Sequence, residues 1–206
     1  MEKNLKPLIE ALIFVSEQPL SLNRIAALIE DTPREEIRNA LKELVEDYQK
    51  EDRGLYLEEV AGGWQIRTRA EYAPWIKRLF KLGPQKISKP ALEVLSIVAY
   101  RQPITRAEIE SIRGVDCAGV IKTLLEKNLI KIAGRKDAPG RPAMYGTTRE
   151  FLEVFGLKDL SSLPTLKEME ELEKTIKDEL DAEGTTPEDN STGRDNIPQE
   201  GGGTDT

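Results

Sequence analysis

The 206-residue chain contains no histidine and a single cysteine, Cys117. The missing histidine removes every Ser-His or Cys-His nucleophile pair, along with the commonest general base and the commonest metal ligand. One cysteine excludes an internal disulfide and a thiolate zinc cluster. There is no stretch of 18 apolar residues, so no membrane-spanning helix is expected. Met1-Glu2-Lys3-Asn4 lacks the basic, apolar and small-residue order of a signal peptide. A cytoplasmic location is therefore expected. Carboxylates and lysines are plentiful, but none falls in a catalytic spacing, and no glycine-rich phosphate loop occurs. The expectation is a protein that is not an enzyme and has no cofactor or metal.

Basic charge is also scarce where a nucleic-acid reader would need it. The formal net charge of −7 is concentrated at one end. Residues 166–206 carry thirteen acids against Lys167, Lys174, Lys177 and Arg194, which leaves residues 1–165 with a net of +2. A domain built mainly for DNA usually shows a clear basic excess.

What the chain does have is a repeat. Residues 8–29 and 92–113 share one pattern at an offset of 84: Gln18-Pro19 recurs as Gln102-Pro103, Ile13 as Ile97, Leu20 as Ile104, Ser21 as Thr105 and Ile25 as Ile109. In each copy an apolar helix ends at Gln-Pro and a second opens at a Ser or Thr cap. A third helix and two short strands then follow. That order is a winged helix built twice, and it shifts attention from chemistry to what two small modules hold.

The first helix is expected over Lys6 to Glu17, with Leu5, Leu8, Ile9, Leu12 and Ile13 at helical spacing and Phe14 and Val15 widening the stripe. So much apolar surface fits either a well-covered central helix or a subunit contact. The second helix starts after Ser21 and buries Leu22, Ile25, Ala26 and Ile29. In the third, Thr32, Pro33 and Glu35 give a capping-box start, and Ile37, Ala40, Leu41, Leu44, Val45 and Tyr48 line one face. Its other face alternates acids and bases from Arg34 to Asp47, which suits solvent better than phosphate. Strands are expected at Leu55–Val60 and Trp64–Arg69 around a Gly62-Gly63 turn. A helix from Glu71 to Leu82 follows, with Trp75, Ile76, Leu79 and Phe80 inward, and Gly83-Pro84 marks a linker.

The second module opens at Ser88 and Pro90. Leu92–Tyr100 is apolar nearly all round and is expected to be buried on most sides. Thr105 and Glu108 form a capping box before Ile109 and Ile112. Asp116 caps a third helix carrying Cys117, Val120, Ile121, Leu124 and Leu125 at core spacing, so Cys117 reads as a small buried residue. Its outer positions, including Lys122, hold few long donors able to reach base edges. Strands at Leu129–Ala133 and Ala143–Thr147 flank the loop Gly134–Pro142, where Arg135, Lys136 and Arg141 outnumber Asp137. Three readings of this loop stand open: arginines pairing with carboxylates to fix it, arginines holding acidic groups of a partner, or arginines on a DNA backbone. After a helix holding Phe151, Leu152 and Phe155, Thr165 and Glu168 have capping-box spacing for a short helix carrying Leu166, Met169 and Leu172. From Ala182 onward only Ile197 is aliphatic and no residue is aromatic, a composition expected to be disordered. The expected fold is mainly α with small β wings: tandem winged-helix domains over residues 1–82 and 89–164 joined by a linker over 83–88, a C-terminal helix over 165–181 and a disordered acidic tail over 182–206.

The run Leu129-Ile130, Gly134-Arg135, Gly140-Arg141-Pro142, Tyr145 and Thr147, together with Leu95 through Thr105, resembles segregation and condensation protein B. Ile9-Glu10-Ala11-Leu12-Ile13-Phe14, Phe155-Gly156-Leu157 and Leu163-Pro164 agree, so the resemblance covers about residues 5–170. It implies a non-catalytic accessory subunit of the bacterial SMC–kleisin condensin, similar to eukaryotic kite subunits. Such proteins are homodimers, chiefly through the N-terminal module, and clasp the central segment of one kleisin chain, segregation and condensation protein A. The ATPase belongs to the SMC subunit, and DNA is approached at most indirectly. Within that frame the expected dimer residues are Leu8, Leu12 and Phe14, and the expected kleisin contacts are Lys122, Arg135 and Arg141. The rival reading is a winged-helix DNA-binding transcription regulator.

Overall fold

The computed structural model describes residues 4–50, 52–81, 87–165, 167, 168 and 171. The chain divides into two units, Met1–Leu163 and Pro164–Thr206. The first unit holds α1 (Leu5–Val15), α2 (Leu22–Leu28), α3 (Arg34–Lys50), β1 (Leu55–Val60), β2 (Gly63–Thr68), α4 (Ala73–Leu79), α5 (Lys89–Arg101), β3 (Ile104–Thr105), α6 (Arg106–Arg113), α7 (Ala118–Glu126), β4 (Ile130–Arg135), β5 (Ala143–Thr147) and α8 (Arg149–Phe155). It is mostly helical, with two small antiparallel sheets.

The repeat is visible as architecture. Each copy is three helices followed by a hairpin, and each encloses its own hydrophobic core. One core is built on Ile9, Ile13, Ile25, Ile37, Leu41 and Leu44, the other on Val94, Leu95, Val98, Ile109, Ile121 and Leu124. The residue after each Gln-Pro joins the sheet. Ile104 in β3 pairs with Tyr145, and Leu20 makes the matching bridge to Trp64, with N–H···O distances of 2.9 and 3.0 Å. Caps start the helices that follow. Ser21 accepts from the Arg24 amide, and Thr105 and Glu108 close a full capping box. Asp116 accepts from the Ala118 amide at 3.2 Å, and Cys117 is buried as expected. Thr165 and Glu168 exchange the two bonds of a capping box, while Leu166, Met169, Leu172 and the residues expected to form the tail lie outside the described residues.

Gln102 gives the second copy a polar fastening. Its amide group donates to the Ala99 carbonyl at 3.1 Å and to Thr147 Oγ1 at 3.0 Å, while its oxygen accepts from the Thr147 amide at 2.8 Å. The end of α5 is thereby tied to β5, and no buried side-chain nitrogen or oxygen among the described residues lacks a partner. The two copies also touch. The amides of Ala61 and Gly62 donate to the carbonyls of Leu157 and Lys158 at 2.8 and 2.9 Å, Arg67 donates to the Glu153 carbonyl, and Arg149 donates to the Pro19 carbonyl. These contacts are polar, and they hang the first hairpin on the segment around α8.

Several expectations are corrected. The first helix spans Leu5–Val15, not Lys6–Glu17; Phe14 and Val15, which widen its stripe, are 71% and 73% exposed. The first hairpin turns at Ala61-Gly62, whose φ values of 50° and 69° suit a two-residue turn, while Gly63 sits in β2. The reason lies at Gly63, where a Cβ would meet the backbone of Pro19 and Leu20 at 2.7–2.9 Å. The helix expected over Glu71–Leu82 is shorter, and its stripe is not inward. Trp75, Leu79 and Phe80 are 63%, 77% and 65% exposed, with only Ile76 half-buried, because α1–α3 and the hairpin already fill the first core. In the second copy, Leu92 and Tyr100 face outward, so α5 is covered on fewer sides than its composition implies, and Ile112 of α6 is exposed as well. The second hairpin runs over Ile130–Arg135 and Ala143–Thr147, with a bulge between Ile132 and Gly134.

Candidate functional site

The uncommitted surfaces of the first copy begin on α1. Its polar edge is tied to α3: Lys6 reaches Asp47 at 2.5 Å and Glu43 at 3.4 Å, and the Tyr48 hydroxyl donates to Glu10 at 2.6 Å. Burial, helped by the neighbouring Glu10 carboxylate, pushes the Tyr48 phenol up to about 12. Ile9 and Ile13 enter the core. That leaves an uncharged arc of Pro7, Leu8, Ala11, Phe14 and Val15 at the surface. Of the expected dimer residues, Leu8 is 38% exposed and Phe14 lies fully on this arc, whereas Leu12 is half-buried against the core. A contiguous apolar face of this kind marks an interaction surface more often than a lone apolar residue does.

The outer face of α3 lacks an uncompensated basic stripe. Arg38 pairs with Glu35 at 2.5 Å and Lys50 with Glu46 at 3.7 Å, and Glu43, Glu46 and Asp47 lie among the cations. Carboxylates at this density oppose phosphate contacts, which supply most non-specific DNA affinity.

On the second copy the structure brings Arg135 and Arg141 together and leaves Lys122 apart. The Arg135 guanidinium donates to the Arg141 carbonyl at 3.1 Å. The loop is braced by backbone bonds from Lys136 to Pro142 and from Arg141 to Ala138, and Arg141 itself has a φ of 41°. Of the three readings of the loop, carboxylate pairing is met by Lys136, which reaches Glu108 at 2.6 Å, while Arg135 and Arg141 stay exposed. Lys122 lies on the outside of α7 with Glu126 at 3.8 Å. Beside this loop is a shallow groove lined by Arg101, Pro103, Ile104, Glu108, Ser111 and Ile112. Spacing alone places Ile112 in the apolar stripe of α6, although it is 56% exposed, so nothing local marks it as a surface residue.

Glu108 is the most perturbed acid of the region. The Lys136 ammonium, then the Thr105 amide and hydroxyl, hold its carboxyl down at about 2. A folded pKa below the unfolded one gives stability that is present above the ordinary carboxylate range and is lost as pH falls towards 2. The expected result is that Glu108→Gln lowers the urea midpoint at pH 7, and that this gap closes as the pH is brought from about 4.5 towards 2. A gap unchanged with pH would show that the charge contributes nothing. Among the described residues no cluster of His, Cys, Asp and Glu could hold a metal, and no helix is long and apolar enough to cross a membrane.

The model of the family described as segregation and condensation complex subunit ScpB matches residues 7–166. The chain is 51% identical over 170 residues to segregation and condensation protein B of Syntrophotalea carbinolica, a match covering 82% of this chain and 86% of the relative. It is 47% identical over 168 residues to the protein of that name from Myxococcus xanthus, covering 82% of this chain and 51% of the relative. It is also similar to a solved dimer of the ScpB N-terminal domain complexed with ScpA peptide, with 37% identity, 37% of this chain and 95% of that chain covered, and a TM-score of 0.35. At this identity over most of its length, the chain belongs to the segregation and condensation complex subunit ScpB family.

Proposed function

We propose that this protein is a non-catalytic accessory subunit of the bacterial condensin, acting in chromosome condensation and segregation as a homodimer that binds the central segment of the kleisin. Family membership carries the reading, and the surfaces agree with it. In this reading the two copies are tandem winged-helix domains over residues 1–82 and 89–164. The uncharged arc of α1, with Leu8, Leu12 and Phe14, packs the dimer. The exposed Arg135 and Arg141, with Lys122, hold acidic groups of the kleisin, since a guanidinium fork suits a carboxylate. The protein works in the cytoplasm and reaches the nucleoid through the SMC complex.

The test is co-purification with the kleisin of the same cell, followed by mass measurement of the intact complex. Two copies of this chain per kleisin are expected. A single copy would remove the dimer from the reading, and no complex would remove the kleisin. The transcription-regulator alternative predicts tight duplex binding by the chain alone that weakens steeply with salt. The paired charges of α3 favour weak binding.

A further inference from the structure

Helix α4 follows the first hairpin as α8 follows the second, but while α8 sends Phe151 into the second core, most of the stripe on α4 has no cover among the described residues. Tyr72, Trp75, Ile76, Leu79 and Phe80 stand at i, i+3, i+4, i+7 and i+8, the spacing of a helix that packs on another helix. Yet Trp75, Leu79 and Phe80 are between 63% and 77% exposed. Side chains of this size bury about 150–250 Å² each, so the three together offer on the order of 400 Å² of apolar surface. That is about half of the ~800 Å² each partner brings to a standard interface, and it is in the range of the largest patch on a monomer, about 300–600 Å², which often serves binding.

We infer that α4 is a seam of the homodimer, packed antiparallel across a two-fold axis against α4 of a second copy. The inference rests on the dimer reading above and adds a contact to it. The charges around the stripe select this occupant. Glu71 comes just before α4 and Arg78 lies seven residues further on, which places both on the same edge of the stripe. When two identical helices pair antiparallel about a two-fold axis, each edge meets the same edge of the copy with its ends reversed. Glu71 of one chain then faces Arg78 of the other, and the symmetry makes this pair twice. Parallel pairing would instead set the Arg78 edge of one chain against the Lys77 edge of the other, cation facing cation. Lys77 and Lys81 add positive charge at the same end, which strengthens the antiparallel preference and disfavours a stack of like ends. Within its own chain Glu71 lies beside the Tyr72 hydroxyl, and Arg78 forms no ion pair among the described residues.

The experiment is sedimentation equilibrium on the full chain at several concentrations, with thermal melts of each variant as a control for folding. Leu79→Glu is expected to raise the dimer dissociation constant by about 30-fold or more, as for a central anchor. Because Leu79 is mostly exposed, its melt should be preserved in the monomer. Glu71→Lys alone and Arg78→Glu alone should each weaken the dimer by about 3-fold to 10-fold, and the two together should restore it to within about 2-fold. A wild-type chain that stays monomeric would overturn the dimer reading itself. A wild-type dimer that Leu79→Glu leaves intact, while Phe14→Glu splits it, would confine the dimer to α1 and overturn the inference alone. The inference also falls if Leu79→Glu stays dimeric but no longer captures the kleisin, which would make α4 a kleisin surface. Failure of the double charge swap to restore the dimer would overturn the antiparallel arrangement.

Discussion

Gly63→Ala is expected to destabilise the protein by about 2–4 kcal/mol, far more than its single methyl suggests. The added Cβ would lie 2.7 Å from the Pro19 carbonyl carbon, 2.8 Å from its oxygen and 2.9 Å from the Leu20 carbonyl carbon. All three are backbone atoms, so no rotamer change relieves the overlap. Relief requires moving the Pro19-Leu20 segment away from β2. That strains the two hydrogen bonds joining Leu20 to Trp64, each worth about 1 kcal/mol net. It also displaces the Pro19 carbonyl from the Arg149 guanidinium, and so loosens a contact between the two copies. Gly62→Ala is the control. Its Cβ would meet nothing within 4 Å, so its cost is only the positive φ of 69°, about 1–2 kcal/mol. Urea midpoints of the two variants decide between these costs. An equal loss, or a larger one at Gly62, would show that the close approach at Gly63 is not what fixes the hairpin register.

The same two glycines show where the sequence is legible and where it is not. A Gly-Gly pair between alternating strands announces a hairpin, but two adjacent glycines permit two registers. The choice is made by the bridge from Leu20 to Trp64, more than forty residues apart, which local patterns do not contain. The repeat is readable because both copies solve one packing problem with the same residue types, from the Gln-Pro stop to the capped second helix. The capping box at Thr105 and Glu108 and the burial of Cys117 are readable because each follows from spacing within a turn or two. The outward face of α4 is not. A stripe at helical spacing says that an apolar face needs covering, and it is silent on whether the cover comes from the same chain. Phe14 and Ile112 carry the same ambiguity, since an interface anchor and a core residue have the same side chains. The bond from Arg149 to the Pro19 carbonyl spans 130 positions and leaves no local mark.

If the proposed contact holds, the two faces of α7 separate stability from binding, and Leu124 carries the larger effect. It is fully buried, at 0% exposure, and packs with Ile121, Val94 and Val98 in the second core. Leu124→Ala removes three heavy atoms from a site closed by α5, α6 and the second hairpin, where neighbours can relax little. The expected loss is about 3–4 kcal/mol, within the range of such truncations. Lys122, two residues earlier, lies on the opposite side with its side chain 79% exposed. Among the described residues it pairs with Glu126 at 3.8 Å, and exposed pairs of that kind contribute well under about 1 kcal/mol. Lys122→Glu should therefore leave the urea midpoint nearly unchanged while weakening kleisin capture, and adding Arg135→Glu and Arg141→Glu should weaken it further. Leu124→Ala should do the reverse: a lower midpoint, with kleisin affinity close to normal for the fraction that remains folded. If Lys122→Glu left kleisin capture intact while the two arginine reversals abolished it, the contact would lie on the second hairpin alone, and α7 would serve only to carry Leu124 and Ile121 into the core.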